Sequence, residues 1–162
     1  MRRLALLLLV APLAACGSHK AAPPQAPASP AHLLGAGAKV LYAGGNWAVV
    51  TKGSTAVAAH LVGGSWKADR SGAVKIDILG PRNGAAQIPQ VAVELKAHSH
   101  LVEEGLWVDG VELLEKGGGL KPENVTVYGA PNAKLKPGKH IAVGYGRTDT
   151  HGTAVAWTFT VV

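Results

Sequence analysis

The sequence predicts an all-β protein, and two features of the chain after residue 36 support this class. No stretch there repeats apolar residues with the 3.6-residue period of an amphipathic helix; short β-rich runs are separated instead by Gly, Pro, Asn and Asp. Several of these runs also alternate apolar and polar residues, as strands with one buried face do. Because the aromatic share is only 5%, the core must consist mostly of Val, Leu and Ala.

Length and composition limit both the architecture and the partners. A chain of 162 residues with a 48% hydrophobic share can bury one ordinary domain, or one domain with a small companion. A single cysteine excludes an internal disulfide and a cysteine-based zinc site. The formal charge of +6 includes Arg2 and Arg3 of the N-terminal segment, and the remaining basic residues are scattered, so we expect no nucleic-acid partner.

Residues 1–15 have the organisation of an export signal. Arg2 and Arg3 precede an apolar run at 4–11, and small residues follow at 14–15. The apolar run is much shorter than the ~20 residues that a membrane-spanning helix needs. The sequence therefore predicts a cleaved signal peptide.

The signal ends in Leu13-Ala14-Ala15-Cys16-Gly17, which resembles the lipobox of bacterial lipoproteins. The resemblance implies cleavage before Cys16 and a covalent diacylglycerol, with acyl chains such as palmitate, on its thiol. Each buried methylene contributes about 0.8 kcal/mol, so two or three chains would anchor the protein at the cell membrane, outside the cytoplasm. We expect no other cofactor. The alternative is an ordinary signal peptide whose cleavage leaves a free thiol.

The next segment, residues 16–35, is interpreted as an Ala/Pro-rich linker. Its prolines, at positions 23, 24, 27 and 30, favour the extended polyproline II conformation, with a rise of about 3.1 Å per residue. We expect a stalk that holds the folded part away from the lipid.

Residues 36–71 are predicted to form a small β-meander. The runs AKVLYA, WAVVT, TAVAAHLV and SWKAD are separated by turns that contain glycine. Two of these turns begin with Gly-Gly and are followed by Trp47 and Trp66. Because so small a sheet buries little surface alone, we expect both rings to pack against the following domain. The alternative is that they form an exposed platform on which a ligand stacks.

Residues 72–162 carry about seven short strands at intervals typical of an immunoglobulin-like (Ig-like) β-sandwich. The predicted strands lie near residues 73–79, 90–97, 105–109, 111–114, 124–128, 139–147 and 153–162. Asp109-Gly110 between apolar arms is a strong hairpin signal, because a tight turn needs positive φ. Alternation in the last strand assigns to the core Val155, Trp157, Phe159 and Val161.

Motifs in this half of the chain resemble those of bacterial Ig-like domains of exported proteins. They are LGPRNGA at 79–85, LWVDGVEL at 106–113, and the stretch at 128–161 that contains LKPGKH and ends in WTFTV. The resemblance implies an Ig-like sandwich and places His140 where immunoglobulins have their corner tyrosine. Simple alternation instead turns His140 outward and buries Ile141, Val143 and Tyr145. The sequence leaves both choices open.

Histidines are the candidate ligands of a metal site. His98 and His100 lie on one side of a strand, and with His140 or His151 they could bind copper or zinc. The stretch RTDTHGTAVAWTFTV is similar to the end of periplasmic copper-resistance proteins, which implies a role for His151. The chain departs from that family in its expected acylated N-terminus and in having no methionine besides Met1. The simpler alternative is that the two strand histidines extend a solvated polar face.

No sequence pattern supports catalysis. The chain lacks a Gly-x-Ser-x-Gly motif and any nucleotide-binding glycine pattern, and its carboxylates fall mostly in turns or at outward strand positions. We therefore expect a non-catalytic, membrane-anchored extracytoplasmic lipoprotein whose Ig-like domain binds or scaffolds an envelope protein or glycan. The alternative function is metal binding in the periplasm or at the cell surface.

Overall fold

The computed structural model describes residues 27–69, 72–82, 85–86, 90–113 and 116–162. Within these ranges the protein is all-β, as predicted, with thirteen strands in three sheets and one short 3-10 helix. No helix in the same ranges is long and apolar enough to cross a membrane. The predicted signal peptide and Cys16 lie outside the described residues.

The first sheet is a four-stranded antiparallel meander, and its strands match the four predicted runs. They are β1 (Lys39–Gly44), β2 (Trp47–Lys52), β3 (Thr55–Val62) and β4 (Ser65–Asp69), paired in chain order. Gly45, Gly53 and Gly63 adopt positive φ angles in the three tight turns, a conformation that glycine reaches without steric cost. A bulge in β1 turns both Leu41 and Tyr42 towards the same apolar cluster.

The 3-10 helix at Pro30–Leu33 packs on the meander and contacts β1, β2 and β4. The Ser29 side chain caps this helix by accepting a hydrogen bond from the Ala31 N–H, and Pro30 is buried. Ala48 and Val50, on the face of β2 that this helix covers, are completely buried. The sequence interpretation assigned residues 30–33 to the linker, but apolar side chains on the meander give them a surface on which to fold.

The remaining strands form two sheets. They are β5 (Val74–Gly80), β6 (Ala85–Ala86), β7 (Val91–Ala97), β8 (Glu103–Val108), β9 (Val111–Glu112), β10 (Lys116–Lys121), β11 (Asn124–Gly129), β12 (Gly138–Arg147) and β13 (Gly152–Val161). One sheet has the order β10-β11-β7-β5 and is antiparallel throughout. The other has the order β6-β13-β12-β8-β9, with β6 parallel to the end of β13.

This strand order is that of an Ig-like sandwich. Taking β5, β7, β8, β10, β11, β12 and β13 as strands A, B, C, D, E, F and G makes the first sheet D-E-B-A. The second sheet then contains G-F-C and is extended by a short strand at each edge. The predicted fold class, an Ig-like sandwich preceded by a β-meander, is therefore confirmed.

The core between the two sheets of the sandwich is apolar and follows the predicted alternation. Its buried side chains include Val91, Val93, Leu95, Leu106, Val127, Trp157, Phe159 and Val161. The indole N–H of Trp157 donates to the carbonyl of Pro81 at 3.0 Å. The polar group of this buried ring is therefore satisfied, which removes the cost of taking it out of water.

Strand β12 is covered on both faces, and this decides the orientation of His140. Its even-numbered positions face the sandwich core, where the His140 ring lies 5.6 Å from that of Phe159. Its odd-numbered positions face the meander, and Val143 and Tyr145 are buried there. The outward orientation of His140 that alternation predicts is therefore wrong, and the corner position implied by the resemblance is correct. Val143 and Tyr145 are nevertheless buried as alternation predicts, and Ile141 is half-buried, because each face of β12 has its own partner layer.

The sequence pattern does not predict two strands of the sandwich. β10 contains three consecutive glycines, which have low strand propensity, so its pairing with β11 is what makes it a strand. β6 has only two residues, and it is defined by a parallel pairing with the distant end of β13. Neither strand carries enough local signal to be recognised before the sheet is assembled.

The close approach of β12 to the opposite sheet predicts that Gly146→Val destabilises the sandwich. A Cβ at Gly146 would lie 3.0 Å from Cδ1 of Leu95 and 3.2 Å from Cγ1 of Val74, which leaves no room for two further methyl groups. We expect the free energy of unfolding, measured in urea, to fall by about 1–3 kcal/mol. The control Thr160→Val, at an exposed position, should change it by less than about 0.5 kcal/mol. Equal losses in the two variants would contradict this packing.

Candidate functional site

The meander packs on the outer face of the sheet that contains β12 and β13, so the protein has three stacked β-layers. The interface is an apolar cluster of Val49, Ala58, Trp107, Val143 and Tyr145. Gly152 is required at the start of β13, because a Cβ there would lie 2.9 Å from the Trp47 ring. The residues with functional potential lie at the two ends of this interface.

A charged network closes one end of the interface. The Glu103 carboxylate, on β8, accepts hydrogen bonds from the Tyr42 hydroxyl of the meander and, at 2.6 Å, from Nε of Arg147. The Tyr145 hydroxyl approaches the same carboxylate at 3.4 Å. The bond to Glu103 raises the pKa of Tyr42 to about 12, and burial raises the pKa of Tyr145. Both hydroxyls therefore stay protonated, and one carboxylate joins the meander to the sandwich.

The network continues into the meander through Trp47. The guanidinium carbon of Arg147 lies 5.5 Å from the centre of the Trp47 ring, within the range of a cation–π interaction. The Trp47 ring also stacks on His60, with ring centroids 4.3 Å apart. Trp47 is only 5% exposed, so it packs against the sandwich as expected and offers no exposed platform to a ligand.

Trp66 lies on the other side of the meander. It pairs with Leu61 between β3 and β4, whereas the next residue, Lys67, pairs with His60. Directly paired residues share one face of a sheet, and His60 is on the sandwich side with Trp47. Trp66 therefore faces away from the sandwich, because successive residues of a strand point to opposite faces. The expectation that this ring packs against the following domain is wrong.

A cavity of about 210 Å³ lies at the other end of the interface, and we call it the groove. It is bounded by β1, the β2–β3 turn, the β8–β9 turn and the first half of β12. Leu41, Ile141 and Val143 supply its apolar lining, and the exposed lysines Lys39 and Lys52 lie at its edge. The groove thus combines an apolar surface with two cations.

Asp109 forms one wall of the groove and joins the β8–β9 turn to β12. Its main-chain N–H donates to the Ile141 carbonyl at 2.8 Å, and its Oδ1 accepts from the Ile141 N–H at 3.0 Å. Its Oδ2 lies 2.6 Å from Nδ1 of His140. Asp109 has a φ of 51° in the predicted Asp-Gly hairpin, a conformation in which Asp is enriched. Hydrogen bonds of both the side chain and the main chain of Asp109 therefore hold the β8–β9 turn against β12.

Acceptors face both ring nitrogens of His140. Nδ1 faces the Asp109 carboxylate, and Nε2 lies 2.8 Å from the Lys136 carbonyl, which can only accept. Both nitrogens can donate at once only in the positively charged form of the ring, so these two acceptors favour that form. The bond with Asp109 and then that with Lys136 raise the pKa of His140, although burial opposes them. His140 occupies the corner-tyrosine position and, like that tyrosine, bonds to the backbone a few residues upstream.

The other histidines of the predicted metal site lie elsewhere. His98 and His100 are exposed in the segment after β7, and His151 is exposed in the β12–β13 turn. All three lie at one end of the sandwich, roughly 23 Å along β12 from His140. Among the residues that the structure describes, no group of three or more His, Cys, Asp or Glu is arranged to hold a metal ion.

Comparison with known proteins identifies no relative of this chain. No protein-family model matches it, and neither curated proteins nor solved structures give a significant match.

Sequence reasoning alone does not find the groove. Lys39 and Lys52 lie at strand ends, where solvated lysines are common, and neither belongs to a motif. Lys39 shares the sandwich-facing side of the meander with Thr51, its partner across the β1–β2 ladder. Lys52, the next residue, points to the opposite face, where it donates to the Leu34 carbonyl, and it borders the groove only at the end of the sheet. The motif in this region is Asp109-Gly110. It predicts a turn but does not predict which residues the turn contacts.

Glu103→Ala should weaken the attachment of the meander. The variant leaves Arg147 and the Tyr42 hydroxyl without their acceptor in a half-buried site, and groups deprived of a charged partner cost about 1–3 kcal/mol. We expect a loss of that size in urea denaturation followed by tryptophan fluorescence. Asp149→Ala, in the exposed β12–β13 turn, removes a carboxylate elsewhere and should leave stability within about 0.5 kcal/mol of wild type. No difference between the variants would disprove the role of Glu103.

The charged state of His140 predicts that stability falls as the pH rises. A group whose pKa is raised on folding contributes its full stabilisation below its unfolded pKa, about 6.5, and loses it as the pH passes its folded pKa. At about pH 6, His140→Ala should therefore unfold with about 2 kcal/mol less free energy than wild type. The difference should shrink as the pH is raised, in a series of urea denaturations.

His100→Ala serves as the control for this series, because His100 is an exposed imidazole in the segment after β7. Its stability should follow the wild-type pH profile. If the free energy of unfolding of His140→Ala lay below that of wild type by the same amount at every pH, the ring would stabilise the fold without its charge.

Proposed function

We propose that this chain is a lipid-anchored extracytoplasmic binding protein, held at the cell membrane through Cys16, without catalytic activity. The observation that carries the proposal is the groove, a cavity of about 210 Å³ between the meander and the Ig-like sandwich. Concave sites with a mostly apolar lining and a few polar groups are typical of ligand binding. The bound molecule in this proposal is a component of the cell envelope.

The motif that ends at Cys16 supplies the anchor. A diacylglycerol on this thiol would hold the protein through burial of its acyl chains in the bilayer. Residues 17–26 separate Cys16 from Pro27, where the described chain begins, and ten extended residues reach at most about 36 Å. The groove would therefore sample molecules near the membrane surface.

The chemistry of the groove favours binding over catalysis. Its carboxylate, Asp109, already accepts from the Ile141 N–H and from the charged ring of His140, so it is not poised to act as a base. Lys39 and Lys52 are exposed and suited to pairing with a ligand of opposite charge. Because an Ig-like fold does not specify a function, this local chemistry supports the proposal more than the architecture does.

The anchor is tested by expressing the full chain in a bacterium that processes lipoproteins, with labelled palmitate in the medium. The wild-type protein should incorporate the label, sediment with membranes and have an intact mass that begins at an acylated Cys16. Cys16→Ser should be unlabelled, because no other side chain of the motif forms a thioether.

Ser18→Ala, two residues after the modified position, is the matched control and should be labelled and sedimented like wild type. A wild-type protein with a free thiol and a different N-terminal residue would overturn the anchor. Equal labelling of Cys16→Ser would do the same.

A further inference from the structure

We infer that the groove binds a small amphipathic anion, a molecule with a short apolar tail and a single negatively charged head. The inference rests on the proposed binding function and names the class of ligand. It follows from three properties of the groove: its volume, its apolar lining and the balance of charge at its edge.

The volume sets the size of the ligand. A water molecule occupies about 30 Å³ of liquid, and a methylene group is of similar size, so 210 Å³ accepts a tail of about seven such groups. Pockets for drug-sized ligands usually start at about 300 Å³. The groove therefore suits a medium-length acyl chain better than a folded peptide or a sugar polymer.

The apolar lining of the groove would bind the apolar tail of the ligand. Leu41, Ile141 and Val143 present aliphatic side chains, and each methylene removed from water against such a surface contributes about 0.8 kcal/mol. The bulge in β1 turns Leu41 towards the sandwich, and the pleat of β12 places Ile141 and Val143 on the meander side. The apolar lining therefore comes from two strands in different sheets, each held in place by its own ladder.

The charges select an anionic head. Lys39 is an exposed cation on the groove side of β1. Lys52 borders the groove at the end of β2, but its ammonium points to the opposite face of the meander, where it donates to the Leu34 carbonyl at 3.3 Å, so Lys39 is the principal cation for the head. The opposing carboxylate, Asp109, is already engaged by the His140 ring at 2.6 Å and by the Ile141 N–H at 3.0 Å. The lysines are thus the unbalanced charge at this site, and a cationic head would meet repulsion.

The test titrates three probes of eight carbons each into the full chain carrying Cys16→Ser, which has no acyl chains on this residue. Octanoate, 1-octanol and octylammonium are added in turn while amide shifts are followed by NMR. Octanoate should produce saturable shifts at Gly37, Gly53 and Gly110, the glycines that line the groove. Octanol should bind about tenfold more weakly, and octylammonium should produce no saturable shift.

The charge requirement is tested with the double variant Lys39→Glu, Lys52→Glu. Octanoate should bind it at least about tenfold more weakly than the unsubstituted lysine chain. The matched control, Lys67→Glu with Lys121→Glu, makes the same change of net charge at exposed positions of β4 and β10 and should bind octanoate normally.

Three results would overturn the inference: equal affinity for octanoate and octanol, equal weakening in both double variants, or octanoate shifts distributed over the whole surface. Any of these alongside a labelled, membrane-bound wild-type protein would reject the ligand class while leaving the anchor in place. Selective octanoate binding by a protein whose Cys16 is not acylated would support the ligand class and reject the anchor.

Discussion

The central sheet of this protein is buried on both faces, and the other features of the structure depend on that constraint. Strand β12 has to fit between two layers, so its two faces carry different side chains. Towards the sandwich core it presents Gly144 and Gly146, which allow Val93 and Leu95 to approach closely. An antiparallel sheet of a sandwich usually leaves its outer face to solvent. Here that face is apolar, and the meander covers it.

Two acidic residues on neighbouring parts of the chain fix the ends of this interface. Glu103, at the start of β8, joins Tyr42 of the meander to Arg147, and Asp109, just after β8, joins its turn to His140 and to the backbone of β12. The apolar cluster lies between them. Because both carboxylates are engaged within the protein, the lysines beside the groove remain available to a ligand, and its geometry is set before any ligand arrives.

The parts of the candidate site differ in how far the sequence reveals them. Asp109-Gly110 and His140 were each recognisable from local motifs, but the bond between them joins residues that only the sheet register brings together. Lys39 and Lys52 carried no signal at all. His98 and His100 follow β7 and stay near each other, as sequence neighbours must, whereas the length of β12 separates His140 from them.

The sequence by itself determined the strand class, the positions of most strands and the tight turns, because alternation and positive-φ glycines act within a few residues. Tertiary structure alone decided that β6 and β10 are strands, that Trp66 faces away from the sandwich, and that residues 30–33 fold on the meander. It also created the groove, whose walls come from strands far apart in the chain. The physical reason is that local patterns fix which residues of a strand share a face. Which layer covers that face depends on contacts between residues far apart in the sequence, and a local pattern contains no information about those contacts.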